Sequence, residues 1–171
     1  MAAVGGGIFS AGDQSGLSVS AAGDVNGDGF DDIIVGAPRA DSQAGTSYVV
    51  FGKASGFSST IDLSSLDGTT GFRLDGVADN DRSGVSVSAA GDVNGDGFDD
   101  IIVGAYRADP DSLSAAGESY VVFGKASGFA SSIDLSSLNG TTGFRLDGVL
   151  ENDESGTSVS AAGDVNGDGF D

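Results

Sequence analysis

Asp24-Val25-Asn26-Gly27-Asp28-Gly29-Phe30-Asp31-Asp32 is the stretch that decides how this chain folds. It recurs unchanged from Asp92 to Asp100, and a third copy runs from Asp164 to Asp171, one residue short of its ninth position. Side-chain oxygens stand at positions 1, 3, 5 and 9, with Gly at position 6. A hard cation such as Ca²⁺ takes roughly six to eight oxygen ligands, and a loop with this spacing can wrap around one ion. Asp24, Asn26, Asp28 and Asp32 are therefore assigned as side-chain ligands of the first loop, with the Phe30 carbonyl at position 7. Asp92, Asn94, Asp96, the Phe98 carbonyl and Asp100 form the second set. Asp164, Asn166, Asp168 and the Phe170 carbonyl form the third. Gly29 supplies the positive φ that turns the backbone back toward the metal.

Clusters of Asp, Asn and Gly also build ordinary turns, because they tolerate left-handed backbone. One such string would be compatible with a plain hairpin. Recurrence in the same setting, with the same acid at position 9, favours the metal. So does the crowding of carboxylates, whose mutual repulsion a cation relieves. An EF-hand does not fit: its position-12 Glu would fall on Val35 or Val103, both in apolar runs suited to strands.

The loops sit inside a larger repeat. Asp24, Asp92 and Asp164 are 68 and 72 positions apart. Ser18 to Ala37 is identical to Ser86 to Ala105, and Ser47 to Phe57 returns as Ser119 to Phe129. The four extra residues fall between Asp109 and Gly117, where variable length marks a surface loop. Repeats of this size imply one supersecondary unit each, stacked on its neighbours.

With 30 Gly in 171 residues and no capped 3.6-period apolar pattern, the units read as strands. Ser18 to Ala21 alternates and leads into the loop. Asp32 to Ala37 is a continuous apolar run, expected as a strand buried on both faces. Its Gly36 and Ala37 are small enough for close packing. Ser47 to Phe51 is a third strand, and Phe72 to Asp75 a half-exposed outer fourth. Ile61 to Leu66 fits either a short helix or a turn. Four strands per repeat is the make-up of a propeller blade.

The string Ser15-Gly16-Leu17-Ser18-Val19, then Ala22-Gly23-Asp24 through Pro38, followed by Ser47-Tyr48-Val49-Val50-Phe51-Gly52, resembles the FG-GAP repeats of integrin α-subunit propellers. The likeness extends to bacterial, calcium-loop-rich members in large secreted proteins. It implies an all-β fold of FG-GAP β-propeller-type blades of four antiparallel strands, with Ca²⁺ in the loop between the first two strands. The implied ligands fall on the residues already named. The family's Phe before the first Gly is replaced by Ser15, Ser83 and Ser155, and Tyr106 stands where Pro38 completes Gly-Ala-Pro in the first repeat. Neither change touches a ligand.

The expected organisation is an outer-strand remnant over 1–16 (Ile8 to Gly12 at its centre), repeats over 17–84 and 85–156, and the start of a third over 157–171. Closed propellers need about four to eight blades, so two leave strand edges and apolar faces open. Two outcomes are expected: the chain is part of a longer array, or separate copies complete one another as a ring or filament.

Composition points outside the cell. Twenty-six acidic against 7 basic residues give a net charge of −19, which excludes nucleic acid and anionic membranes as partners. Cysteine is absent, so bound ions would take the place of disulfide staples. Millimolar extracellular calcium fills modest sites, with Kd near about 10⁻⁴–10⁻³ M. Met1 to Gly7 lacks the charged and apolar regions of a signal peptide, and no run reaches transmembrane length.

An enzyme is not expected. Without His or Cys, neither Ser-His-Asp nor Cys-His catalysis is available, and carboxylates committed to calcium make poor general acids at neutral pH. The resemblance adds a competing expectation, because propellers of this family also occur as accessory domains of phospholipases that cleave glycolipid anchors. The expected partners are further copies of the repeat, with a cell-surface protein or glycan as ligand. Arg39-Ala40-Asp41 reads as a solvated turn rather than an adhesion tripeptide. Asn139-Gly140-Thr141 is a glycosylation sequon that the preceding repeat, with Asp67, does not share. Tyr48 and Tyr120 are expected between blades rather than on a sugar.

Overall fold

A computed structural model describes residues 11–126 and 128–171; the expected remnant strand from Ile8 lies mostly outside them. Nine strands follow in chain order. They are β1 (Ser18–Gly23), β2 (Asp32–Ala37), β3 (Thr46–Val50), β4 (Gly71–Asp75), β5 (Ser86–Gly91), β6 (Asp100–Ala105), β7 (Glu118–Val122), β8 (Ser132–Asp134) and β9 (Gly143–Asp147). β1 to β4 form one antiparallel meander, and β5, β6, β7 and β9 repeat it. The fold is all-β, built of two meander sheets, as the repeat pattern predicts.

Register is set by the alternation of side chains across each blade. Val19 faces Val35, which faces Tyr48, while the next row joins Ser20, Ile34, Val49 and Phe72. The second blade copies this with Val87, Val103 and Tyr120, and with Ser88, Ile102, Val121 and Phe144. Each first strand carries a bulge before its loop, between Ala21 and Gly23 and between Ala89 and Gly91. A bulge there bends the strand and re-aims the chain into the loop.

The blades stack face to face. Ile34, Val49, Phe72 and Leu74 of the first, all 0% exposed, share one core with Val87, Ile101, Val103 and Tyr120 of the second. Phe129, from the connection after β7, joins them and stacks on Phe72. Gly36 allows this approach: a Cβ there would lie 2.1 Å from the Gly84 carbonyl oxygen. Tyr120 lies in this shared core, as expected; Tyr48 is also buried, but in a separate cluster with Ala37, Ala40 and Leu66 on the other face of the first blade.

Two expectations need correction. The Asp32–Ala37 strand is not buried on both faces: Ile33 is 50% exposed, whereas its counterpart Ile101 is fully covered by the first blade. The sequence is the same at both places, and the difference lies in what packs against it. Secondly, the first sheet gains a fifth strand beyond its own four, whereas the second sheet holds four. β8 leaves the second repeat and pairs in parallel with β4, through Arg73 with Ser132, Leu74 with Ile133 and Asp75 with Asp134. The ambiguous Ile61 to Leu66 stretch settles into a single 3-10 turn, Leu63–Ser65, capped by Asp62 accepting from the Ser64 N–H. The matching turn in the second repeat is Leu135–Ser137, capped by Asp134.

Candidate metal centre

All three loops adopt one arrangement. In the first, the Asp28 N–H donates to Asp24 Oδ1 at 3.0 Å and Asn26 Oδ1 at 2.9 Å. The Gly29 N–H donates to Asp24 Oδ2 and the Phe30 N–H to Asp28 Oδ1. Asp96, Gly97 and Phe98 reproduce these bonds onto Asp92, Asn94 and Asp96. Asp168, Gly169 and Phe170 reproduce them again onto Asp164, Asn166 and Asp168. The turn needs glycine at two places: Gly27 and Gly29 have φ of 71° and 87°, which L side chains adopt only under strain. The position 1 and position 3 side chains thus meet at the position 5 N–H, and the position 5 carboxylate accepts from the position 7 N–H.

Position 9 is placed differently. Asp32 is 1% exposed and lies beneath the loop, accepting from the Val25 N–H at 3.0 Å and the Gly52 N–H at 2.8 Å. Asp100 does the same with Val93 and Gly124. Each carboxyl ties its loop to the end of the third strand. Burial pushes both up to about 6; the two N–H donors oppose the shift, and the acids at positions 5 and 1 add to it. Among the described residues, no three acidic side chains converge as a carboxylate-only metal cluster. The position 1 and position 9 acids each face backbone N–H groups instead. The donors are nevertheless all oxygen, and the charges at positions 5 and 1 repel the one at position 9. A hard cation relieves that repulsion, so the residues present fit Ca²⁺.

The spacing did not reveal the acid at position 8. Asp99 Oδ2 accepts from the Asp24 N–H of the preceding loop at 2.8 Å, and the Asp99 N–H returns to the Asp24 carbonyl at 3.3 Å. Asp171 makes the same pair of bonds with Asp92, at 3.3 and 3.4 Å. The Phe98 ring covers Gly27, where a Cβ would lie 2.3 Å from the ring edge, and Phe170 covers Gly95 in the same way. The available signal was the first Asp of each Asp-Asp doublet, which ligand counting leaves without a task.

The FG-GAP repeat family matches residues 15–50 and 83–122, each span running from before the first strand of a blade through its loop to the third strand. The chain is an FG-GAP repeat protein. Its relatives include phosphatidylinositol-glycan-specific phospholipase D from Bos taurus, 35% identical over 113 residues, which is 64% of this chain and 13% of that protein. The Rattus norvegicus enzyme of the same name is 36% identical over 118 residues, 67% of this chain and 14% of the relative. Integrin alpha-6 from Gallus gallus is 36% identical over 86 residues, 48% of this chain and 7% of the integrin. The FG-GAP chain therefore spans only a small part of the length of these relatives. Among the described residues of this FG-GAP chain, no helix is long and apolar enough to cross a membrane.

Proposed function

We propose that this FG-GAP chain is a calcium-binding structural or adhesive scaffold that works outside the cell or on its surface and has no catalytic role of its own. The observation that carries this reading is one oxygen set built three times with the same hydrogen bonds. A bound Ca²⁺ would neutralise the carboxylates and cross-link the first two strands of a blade. The chain's own residues do the rest. Asp24, Asn26 and Asp28 hold the loop's curvature, the Phe30 carbonyl is the position 7 donor, and Asp32 anchors the loop to Gly52. Thermal unfolding of the chain in millimolar calcium and in chelator tests the reading. A melting temperature raised by calcium in the wild type, and no longer raised once Asp28 and Asp96 are both changed to Ala, supports it. Equal melting of the wild type in both conditions overturns it.

The proposed partners are further copies of the repeat, in the same polypeptide or in another. Val19 and Ile33 are 60% and 50% exposed, while their counterparts Val87 and Ile101 are 6% and 0% exposed beneath the first blade. A third blade, or a second copy, would cover this face in the same way. A cell-surface protein or a glycan is the proposed ligand of the assembled surface.

A second reading is supported by the phospholipase D relatives: the chain would be an accessory propeller segment of a larger secreted hydrolase. Saturable binding to a glycan array, together with a catalytic domain in the same polypeptide, would favour it over the scaffold.

A further inference from the structure

We propose that the loops bind calcium cooperatively, and that the position 8 aspartate of one loop couples it to the loop before. The inference rests on the calcium reading and adds a role for residues outside the ligand set.

Asp99 stands between Phe98 and Asp100, the position 7 and position 9 donors of the second loop. It does not serve its own loop. Its carboxylate and its N–H both engage Asp24, the position 1 residue of the first loop. A second bridge lies alongside: the Lys125 N–H donates to the Val25 carbonyl at 2.9 Å, while the adjacent Gly124 N–H donates to Asp100. Positions 1 and 2 of the first loop are thus both held by residues that frame the second. Space is reserved for the contact, since a Cβ on Gly23 would lie 2.3 Å from Asp99 Oδ2, and one on Gly91 would lie 2.2 Å from Asp171 Oδ2. Asp171 and Asp92 repeat the pairing, so it belongs to the design of the repeat.

An ion held by the Phe98 carbonyl and Asp100 fixes the residue between them. Asp99 then meets Asp24 already oriented, and the first loop loses less freedom when it closes on its own ion. The coupling acts equally in reverse, because linkage is reciprocal for binding free energies. A carboxylate acceptor makes the stronger class of hydrogen bond, and coupling of about 5–10-fold in affinity is the expected scale.

The test is a calorimetric titration of the calcium-stripped chain with CaCl₂, comparing wild type with Asp99→Ala and Asp31→Ala. Asp31 holds the same position in the first loop, is exposed, and is preceded by no loop of this kind in residues 1–23. The expected result is a cooperative wild-type isotherm that Asp31→Ala leaves unchanged. Asp99→Ala should remove the cooperativity and weaken binding by about 5–10-fold. Independent sites in the wild type, or matching isotherms for all three proteins, would overturn the coupling while leaving calcium binding intact. A wild type that takes up no calcium would overturn the underlying reading instead. Should Asp99→Ala unfold, hydrogen exchange at the Asp24 amide decides the matter in Asp28→Ala, whose first loop is disabled. Calcium filling the second loop should slow that exchange several-fold, and unchanged exchange would overturn the proposal.

Discussion

The ring of Phe129 lies flat on that of Phe72, with centroids 4.5 Å apart and planes within 5°. Phe129 comes from the second repeat and Phe72 from the first, and Phe51 packs against both at 5.5 and 5.8 Å. Phe57 occupies the same place in the first repeat yet is 53% exposed. Phe129→Ala should therefore cost about 3 kcal/mol of stability and Phe57→Ala under about 1 kcal/mol, measured by urea unfolding. Equal losses would mean that Phe129 does not join the blades.

The glycines make a second contrast. A Cβ on Gly36 would meet the Gly84 carbonyl oxygen at 2.1 Å, and backbone cannot swing away as a flexible side chain could. Nothing lies within 4 Å of the Cβ position on Gly56. Gly36→Ala should lose more than about 2 kcal/mol by forcing the blades apart, whereas Gly56→Ala should be neutral or gain a few tenths. Paired thermal melts of the two variants check this.

Much of this was legible beforehand, for identifiable reasons. Strands β1, β2 and β3 carry period-2 or continuous apolar signals between glycine-rich turns, and the loop spacing placed Asp24, Asn26 and Asp28 together. What stayed hidden depends on contacts between repeats. Ile33 and Ile101 have identical neighbours in sequence and opposite burial, which no local pattern encodes. β8 is only three residues long and gains its strand character from the edge of β4. Asp99 has its partner in the preceding loop, at the Asp24 N–H, and the spacing within its own loop does not encode that contact.

Buried Asp81 yields a pH prediction. Its carboxyl is pushed up to about 6 by burial, with Glu118, Asp109 and Asp79 adding to the shift and the Ala78 N–H opposing it. The folded form thus holds a proton between about pH 4 and 6 that the unfolded chain has released. Stability from this group is present below pH 4 and is lost as pH rises through 6. Asp81→Asn carries no such proton. In chelator, the wild type should gain on Asp81→Asn by roughly 2–5 °C in melting temperature between pH 7 and pH 4.5. A constant gap across that range would show that Asp81 is ionised throughout.

The proposed association can be read from sedimentation velocity. If the face carrying Val19 and Ile33 takes a second copy, millimolar calcium should support assemblies that shrink on dilution. Val19→Lys with Ile33→Lys should leave a monomer of unchanged melting temperature, because both positions are already open to solvent. Assemblies that survive the double change would place the contact elsewhere.

The parallel pairing of β4 with β8 has a consequence for how this chain is made. Asp75 ends β4, and its partner strand ends at Asp134, roughly 60 residues later. At a synthesis rate of about 5–20 residues per second, the ribosome needs roughly 3–12 s to add that stretch. During this time the outer edge of the first sheet has no strand to hold it. The first unit is thus finished by the next one to emerge, and a chain stalled at the boundary between the two repeats presents a bare edge to its neighbours in the polysome.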